Sequence, residues 1–281
     1  MKINLHRGTA LVQESTGGQA REWVEPPAGM NAIQLDAVLQ LLPAPFECHA
    51  DQPAWVVLPG SHHILFARHR REGNLARIEA WLVRRADYLA CEADSPAIIR
   101  ALESNPMAET AQLHEVARTA AGVQNILKDG DAPTLLGAAQ LLVDGGKLHW
   151  AVETPVPLQQ MASIWDLLPT RQRALLGWTN YLDSTRHKLA ISAGNQPLDG
   201  AWAWEQAGDY PEGNYERALH QAAFQRDDET LARLFNRGSR ADVLLLGLIL
   251  LAVLVIGQLM LASTGWKPPP LFRPAAKEIS P

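Results

Sequence analysis

The pattern of apolar and polar positions sets one segment of the chain apart from the rest. Residues 243–263 contain no charged side chain, whereas the regions on both sides carry several. A helix of about 20 residues rises about 30 Å, the thickness of a bilayer's hydrocarbon core. Apolar residues cover every face of this segment, whereas an amphipathic surface helix keeps a polar face. The pattern predicts a transmembrane helix at residues 243–263, with a buried central helix as the alternative.

The expected anchor includes positions within this span and one position just beyond it. Trp266 follows the span, and tryptophan is common where a membrane helix meets water. Gln258 has the chemistry to hydrogen-bond a second helix in the bilayer, although the sequence leaves the oligomeric state open. The anchor residues are Val243, Gly247, Gly257, Gln258 and Trp266.

The two ends of the chain predict its topology. Residues 1–18 contain no apolar stretch of the signal-peptide kind, and residues 264–281 form a short Pro-rich tail. We therefore expect a tail-anchored, single-pass protein at the inner membrane, with its N-terminal domain in the cytoplasm and the lipid bilayer as one partner.

Strand-like runs and helix-like spacings of apolar residues ahead of the span predict the elements of this domain. Within residues 1–94, β-like runs separated by turns predict an antiparallel meander, and a helical pattern begins at Asn31. The helix is expected at residues 31–42, and the strands are expected at residues 2–12, 54–58, 62–68 and 76–83.

Residues 95–240 are dominated by helical patterns. Helices are expected at residues 95–102, 108–127, 132–143, 157–168, 170–176 and 214–236, and strands at residues 147–152, 178–182 and 187–192. Residues 195–213, rich in Gly, Pro and Trp, are expected to form a loop. The predicted fold class is thus an α+β cytoplasmic domain followed by a single C-terminal transmembrane α-helix.

Composition narrows the classes of function. The 25 basic and 30 acidic residues give a net charge of −5, which disfavours nucleic acid as a partner. The two cysteines, Cys48 and Cys91, are far apart in sequence and belong to no metal-binding motif. This usage indicates a reducing compartment without a disulfide framework or a structural zinc site.

Catalytic and cofactor motifs are not found in the sequence. His114 and Glu115 begin like a zinc-protease motif, but Arg118 stands where the second metal-binding histidine belongs. His62 and His63 are adjacent on an expected strand and point to opposite faces. We therefore expect no catalytic residue, no bound metal and no cofactor.

One short segment keeps an enzymatic alternative open. Asp183, Ser184 and His187 place a carboxylate, a hydroxyl and an imidazole close together in sequence. Catalytic triads are usually assembled from distant segments, so a turn is the simpler interpretation. A membrane-tethered hydrolase that uses these residues is the alternative.

Aromatic residues are concentrated near the end of the domain. They suit either a core with partly exposed ring edges or a recognition surface, because Trp and Tyr supply large contact areas. The candidate partner-binding residues are Trp165, Trp178, Tyr181, Trp202 and Trp204.

Three stretches of the chain carry a resemblance to a known family. They read HHILFARHRREGNLARIEAWLV, AAQLLVDGGKLHWAV and SIWDLLPTRQRALLGWT, the last with Trp165, Leu168, Pro169 and Arg173 at a matching spacing. Over about residues 1–195 the chain resembles the N-terminal domain of bacterial GTPase-associated proteins. The resemblance implies an adaptor or sensor of a bacterial conflict or defence system, without agreed catalytic residues and with a GTPase or other NTPase as protein partner.

These observations converge on one functional expectation. The sequence predicts a non-enzymatic, tail-anchored inner-membrane adaptor or sensor that binds a protein partner. Besides the tethered hydrolase, a membrane-damaging effector acting through an oligomerising span is a further alternative.

Overall fold

The computed structural model describes residues 1–15, 18–113, 118–182, 189–236, 251–253 and 255–256. The chain divides into a compact unit, Met1–Arg237, and a second unit, Gly238–Pro281. The described residues of the second unit are helical. All elements named below belong to the first unit.

Strands and helices alternate irregularly along the first unit. The strands are β1 (Lys2–Asn4), β2 (His6–Ser15), β3 (Gly18–Glu25), β4 (Ala54–Pro59), β5 (His63–Glu72), β6 (Leu75–Arg84), β7 (Thr110–Gln112), β8 (Lys147–Ala151), β9 (Trp178–Thr179), β10 (Ile191–Gly194) and β11 (Ala201–Ala203). The helices are α1 (Ala32–Leu41), α2 (Arg85–Ala90), α3 (Ser95–Ser104), α4 (Ala120–Asp129), α5 (Ala132–Val143), α6 (Leu158–Asp166), α7 (Thr170–Arg173), α8 (Asn214–Gln225) and α9 (Asp228–Phe235). Two 3-10 turns, Pro45–Glu47 and Trp204–Asp209, complete the described structure.

A single mixed sheet organises the unit. Within the described residues it contains nine strands in the order β11-β8-β10-β9-β4-β5-β6-β2-β3. Strands β11, β8, β10 and β9 run parallel to one another, whereas β4, β5, β6, β2 and β3 form antiparallel pairs. The antiparallel pairing of β4 with β9 joins the two halves. Sequence regions 1–94 and 95–240 therefore share one sheet.

The sheet is covered on both faces because its central strands alternate apolar side chains between two cores. Phe66 of β5 and Trp81 of β6 belong to the larger core, which includes residues of α3, α5, α6 and α8. Leu65 and Ala67 of β5 belong to the smaller core, together with Val38 of α1. Strands buried on both faces are a property of sheets that lie between two layers.

Local sequence signals determine several elements, and these predictions are confirmed. The Asn31 side chain accepts a hydrogen bond from the Gln34 backbone N–H at 2.9 Å, and the Gln34 side chain accepts one from the Asn31 N–H at 3.1 Å. This capping box starts α1 where the sequence predicts a helix. The predicted meander is also confirmed, because β4 pairs with β5 and β5 with β6, all antiparallel.

Elements that depend on distant partners differ from the prediction. The single helix expected at residues 108–127 is wrong, because Thr110–Gln112 pairs with β1 before α4 begins. The helix expected at residues 214–236 is two helices, separated at Arg226, whose φ of 57° ends α8. The loop expected at residues 195–213 contains β11 and a 3-10 turn.

The predicted fold class is corrected by the architecture. The unit is a mixed α/β fold with parallel and antiparallel strands in one sheet, whereas the sequence predicts an α+β domain. Among the described residues, no helix is both long and apolar enough to cross a bilayer. The predicted single-pass, tail-anchored membrane architecture is corrected accordingly. A run of apolar residues reports composition, whereas a span also requires one continuous helix of about 20 residues.

The residues assigned to the anchor are not placed by the structure. Val243, Gly247, Gly257, Gln258 and Trp266 lie outside the described residues.

Substitution of Gly137 tests the close contact between α5 and the turn at Trp204–Asp209. A Cβ at Gly137 would overlap the backbone carbonyl of Ala207. We expect Gly137→Ala to lower the free energy of unfolding by about 1–3 kcal/mol, as overpacking does. Gly122→Ala is the matched control, since its nearest atom would be Thr119 Oγ1 at 3.4 Å. The control should gain up to about 1 kcal/mol from helix propensity. Similar effects of both substitutions in urea unfolding would contradict the packing.

A second test uses the buried imidazole of His69. His69 is 1% exposed, and neither ring nitrogen has a hydrogen-bond partner within the described structure. Burial lowers the pKa of His69 from 6.5 to about 3. The unfolded chain therefore binds more protons between these values, and stability is lost as the pH falls from 6.5 towards 3.

Replacing His69 with leucine should remove this part of the acid sensitivity. The wild type should lose up to about 1.4 kcal/mol per pH unit relative to His69→Leu below pH 6. Urea unfolding of both proteins between pH 7 and about pH 4 measures the difference. Parallel stability curves would show that His69 titrates normally in the folded protein.

Candidate functional site

A cavity of about 740 Å³ lies between α3 and α4. This volume is in the range of pockets that hold small ligands. Positions three and four apart lie on one face of a helix, so each helix contributes one wall. The walls are Ala97, Arg100, Ala101 and Ser104 of α3, and Thr119, Gly122, Val123 and Ile126 around the start of α4.

Charged side chains are gathered along the lining of this cavity. Asp166 is the last residue of α6, and it interacts electrostatically with other charged groups, among them Asp94, Arg100 and Arg118. The charged lining residues are Arg100, Arg118, Arg173, Glu92, Asp94 and Asp166. Three basic and three acidic side chains therefore line one cavity, and their exposure ranges from 1% for Arg173 to 46% for Glu92, with Arg100 also exposed.

Arg118 joins the cavity to three other parts of the fold. Its Nε donates to Glu92 Oε2 at 3.0 Å, its Nη1 to the Leu168 carbonyl at 2.7 Å and its Nη2 to Thr170 Oγ1 at 2.7 Å. The guanidinium also lies 3.9 Å from the ring centroid of Phe235. Burial, and then the charge of Arg173, lowers the pKa of Arg118 to about 10. Arg118 therefore remains charged at neutral pH. Each of its three guanidinium nitrogens donates a hydrogen bond, and the Phe235 ring packs on the guanidinium.

Arg173 is more deeply buried and less completely paired. Its side chain is 1% exposed, and Nη2 lies 3.3 Å from Asp166 Oδ1. Nη1 donates to the Glu92 carbonyl at 3.5 Å, and Nε has no partner within the described structure. Burial raises the pKa of Asp166, and the charge of Arg173 opposes that rise. The cavity thus holds a buried cation with unused hydrogen-bonding capacity.

The backbone of the α2–α3 connection is strained beside these arginines. Glu92 and Ala93 have φ angles of 56° and 53°, in the left-handed region that non-glycine residues rarely adopt. The Glu92 carbonyl accepts from Arg173, and the Ala93 carbonyl accepts from Trp165 Nε1 at 2.8 Å. Such strain persists only where surrounding contacts hold it, and it is common at functional sites.

Cys91 lines the cavity but is not an activated nucleophile. Its Sγ donates to the Tyr88 carbonyl at 3.1 Å, and burial raises the pKa of the thiol to about 11. The reactive form of cysteine is the thiolate, which this environment disfavours at neutral pH. The cavity therefore has the chemistry of a binding site more than that of a covalent catalyst.

Three of the five predicted partner-binding residues lie in the core. Trp165 and Trp178 are 1% and 0% exposed, and Tyr181 is 2% exposed. The indole of Trp165 donates to Ala93 as described above, and Trp178 Nε1 donates to Ser95 Oγ at 2.8 Å. These two rings hold the α2–α3 connection and the start of α3 in place, which is the core role considered as the alternative.

The other two predicted residues are half-buried at the edge of the sheet. Trp204 stacks on Trp150 with ring centroids 4.8 Å apart, and Trp202 packs edge-on against Tyr210 at 5.2 Å. The structure thus does not bring the five rings together into one exposed surface. Partner binding by Trp202 and Trp204 stays a prediction.

The residues of the alternative hydrolase site are not described by the structure. Asp183, Ser184 and His187 lie outside the described residues, as do His114 and Glu115. Within the described part of the chain, no group of three His, Cys, Asp or Glu side chains could hold a metal ion.

A serine–histidine contact that the sequence did not predict lies in the parallel half of the sheet. His149 Nδ1 is 2.9 Å from Ser192 Oγ, across the pairing of β8 with β10. Both residues are 3% exposed, and neither lines the cavity. A substrate cannot reach them in this conformation, so the contact pairs His149 Nδ1 with Ser192 Oγ inside the sheet, while His149 Nε2 has no partner within the described structure.

Sequence patterns did not identify the cavity itself. In the sequence, Arg118 stands where a metal motif is broken, and Arg173 belongs to a stretch that resembles a known family. The available signal was the spacing of small residues, Ala97, Ala101 and Ser104, along one face of α3. Small residues on a helix face also allow close helix packing, so the spacing alone does not predict a cavity.

Comparison of the chain with protein-family models, with curated proteins and with solved structures finds no match.

Removing the Trp165 hydrogen bond tests whether it holds the strained connection. Trp165→Phe should free the Ala93 carbonyl, loosen the turn around Cys91 and raise the rate at which a thiol reagent labels Cys91 several-fold. Trp178→Phe is the matched control, because it removes a similar buried bond to Ser95. Both variants should lose about 1–3 kcal/mol of stability. Equal labelling rates in the two variants, measured by mass spectrometry of the Cys91 peptide, would contradict the role of Trp165.

Proposed function

We propose that the protein is a non-enzymatic sensor or adaptor, which binds a small molecule between α3 and α4 and passes this event to a protein partner. The observation that carries the proposal is the position of Arg118, whose guanidinium contacts Glu92 at the cavity and Phe235 on α9. One side chain thus links the cavity lining to the last helix of the unit.

A second contact ties the same two regions together. The backbone N–H of Ala120, at the start of α4, donates to Asp228 Oδ1 at 2.6 Å. Asp228 is the first residue of α9. A shift of α4 away from or towards α3 therefore changes two contacts of α9, one at each end of that helix. Conformational changes of this kind need discrete contacts that differ between states.

The chemistry of the cavity favours binding over turnover. Its acidic and basic groups pair with one another, as Glu92 does with Arg118 and Asp166 with Arg173. The Cys91 thiol is held in its protonated form by burial. A protein partner that hydrolyses nucleotides, which the family resemblance implies, stays a prediction.

A double-substitution experiment measures the coupling between the cavity and α9. Ala101→Phe places a large side chain in the cavity and imitates occupancy. We expect it to change hydrogen exchange of the amides of residues 228–235 by about threefold or more, since a shift of about 0.7 kcal/mol has this effect. In an Arg118→Met background the same substitution should leave α9 exchange unchanged, because the link is lost.

The control is Ala121→Phe, which makes the same substitution at an exposed position of α4 outside the cavity lining. Its effect on α9 exchange should be less than half that of Ala101→Phe. An equal effect of Ala101→Phe with and without Arg118, or an equal effect of the control, would sink the proposal.

A further inference from the structure

We infer that the ligand of this cavity is an amphipathic monocarboxylate, with its carboxylate at Arg100 and Arg173 and its aliphatic body between α3 and α4. The inference rests on the proposed function and adds the chemical class of the ligand.

The unused donors of Arg173 indicate an anionic, acceptor-rich group. A guanidinium carries five N–H donors in one plane. The described contacts of Arg173 are one at 3.3 Å to Asp166 and one at 3.5 Å to the Glu92 carbonyl. Charge-assisted bonds are normally about 2.7–2.9 Å long, so both contacts are weak. Arg173 is 1% exposed, so solvent supplies little of its remaining hydrogen bonding. Its planar guanidinium matches the two acceptors of a carboxylate.

Two helix N-termini meet the same end of the cavity. Asp94 caps α3 by accepting from the Ala97 N–H at 2.9 Å, and Thr119 caps α4 by accepting from the Gly122 N–H at 3.1 Å. Both capping residues line the cavity. Carboxylates already occupy both helix ends, since Asp94 caps α3 and Asp228 Oδ1 accepts from the Ala120 N–H of α4 at 2.6 Å. The helix dipoles therefore add little to the attraction of Arg173 for an anion.

The acidic lining residues limit the charge of the ligand. Glu92 already neutralises Arg118 at 3.0 Å, and Arg173 has Asp166 beside it. The exposed Arg100 on the α3 wall makes no side-chain hydrogen bond or ion pair within the described structure. A singly charged head fits this balance, whereas a phosphate dianion would place its second charge near Asp94 and Asp166.

The body of the ligand is determined by the apolar part of the walls. Ala97 and Ala101 on α3 face Val123 and Ile126 on α4 across the cavity, with Leu113 beside them. Alanines leave room where larger side chains would close the gap. An aliphatic chain fills such a space and gains from removal from water.

Calorimetric titration of the full chain with octanoate, octyl phosphate and 1-octanol tests the assignment. Octanoate should bind saturably, and at least about tenfold more tightly than either of the other two probes. Arg173→Met and Arg100→Met should each weaken octanoate binding by about tenfold or more, because each removes a charge-assisted contact. Ala101→Phe should abolish binding, and Arg217→Met, an exposed arginine of α8, should leave it unchanged.

Arg100 is exposed, so Arg100→Met keeps the test valid if the buried Arg173 variant fails to fold. Tighter binding of octyl phosphate, equal binding of octanol, unaltered binding in Arg100→Met or no binding of any probe would each overturn the ligand class. Coupling between the cavity and α9 in the hydrogen-exchange experiment would then still stand. If octanoate binds but the cavity and α9 are not coupled, the carboxylate site stands and the proposed sensor function is wrong.

Discussion

The antiparallel pairing of β4 with β9 is the interaction on which the rest of the unit depends. It is short, with Val56 opposite Thr179 and Val57 opposite Trp178. Side chains reinforce it, because Asn180 Oδ1 accepts from the Trp55 N–H at 2.7 Å and Thr179 Oγ1 donates to the Trp55 carbonyl at 2.8 Å. Buried and fully paired polar groups of this kind specify one register at a join that few backbone bonds define.

The position of the cavity follows from that junction. Trp178 belongs to β9, and its indole donates to Ser95 at the start of α3. Just before α3 in sequence, the Ala93 carbonyl accepts a hydrogen bond from Trp165, and the Glu92 carbonyl accepts one from Arg173. The sheet therefore fixes the first turn of α3, and α3 fixes one wall of the cavity. The strain of two consecutive left-handed residues is offset by these bonds.

Local signals in the sequence predicted the parts of the fold that neighbouring residues decide. The capping box at Asn31 and the meander of β4, β5 and β6 are examples, because turn residues and alternation specify them. Strand β7, with the sequence Thr-Ala-Gln, lies within a longer stretch whose pattern predicts a helix, and only its pairing with β1 selects the extended form. The membrane architecture was predicted from the hydropathy of residues 243–263 and from the two ends of the chain, and neither reports whether a long helix exists.

Local sequence patterns do not predict the candidate site either, because it also depends on contacts between residues distant in sequence. Arg118, Arg173 and Glu92 are separated in sequence and meet only after the sheet has brought α3, α4 and α7 together. The tryptophans were recognised as significant, yet their role depends on burial. Trp165 and Trp178 act through single indole hydrogen bonds to the α2–α3 connection and to α3, a function that composition does not reveal.

The strand order also has a consequence for the order of assembly during synthesis. Strands β2 to β6 come early in the chain and can pair as soon as Arg84 has left the ribosome, whereas the partner on the other edge of β4 arrives only with Trp178. Until then β4, with Val56 and Val57 at its centre, is an open edge of a hydrophobic sheet. Unpaired apolar edges invite association between chains. The nascent chain therefore exposes the apolar edge of β4 from the emergence of Arg84 until the emergence of Trp178.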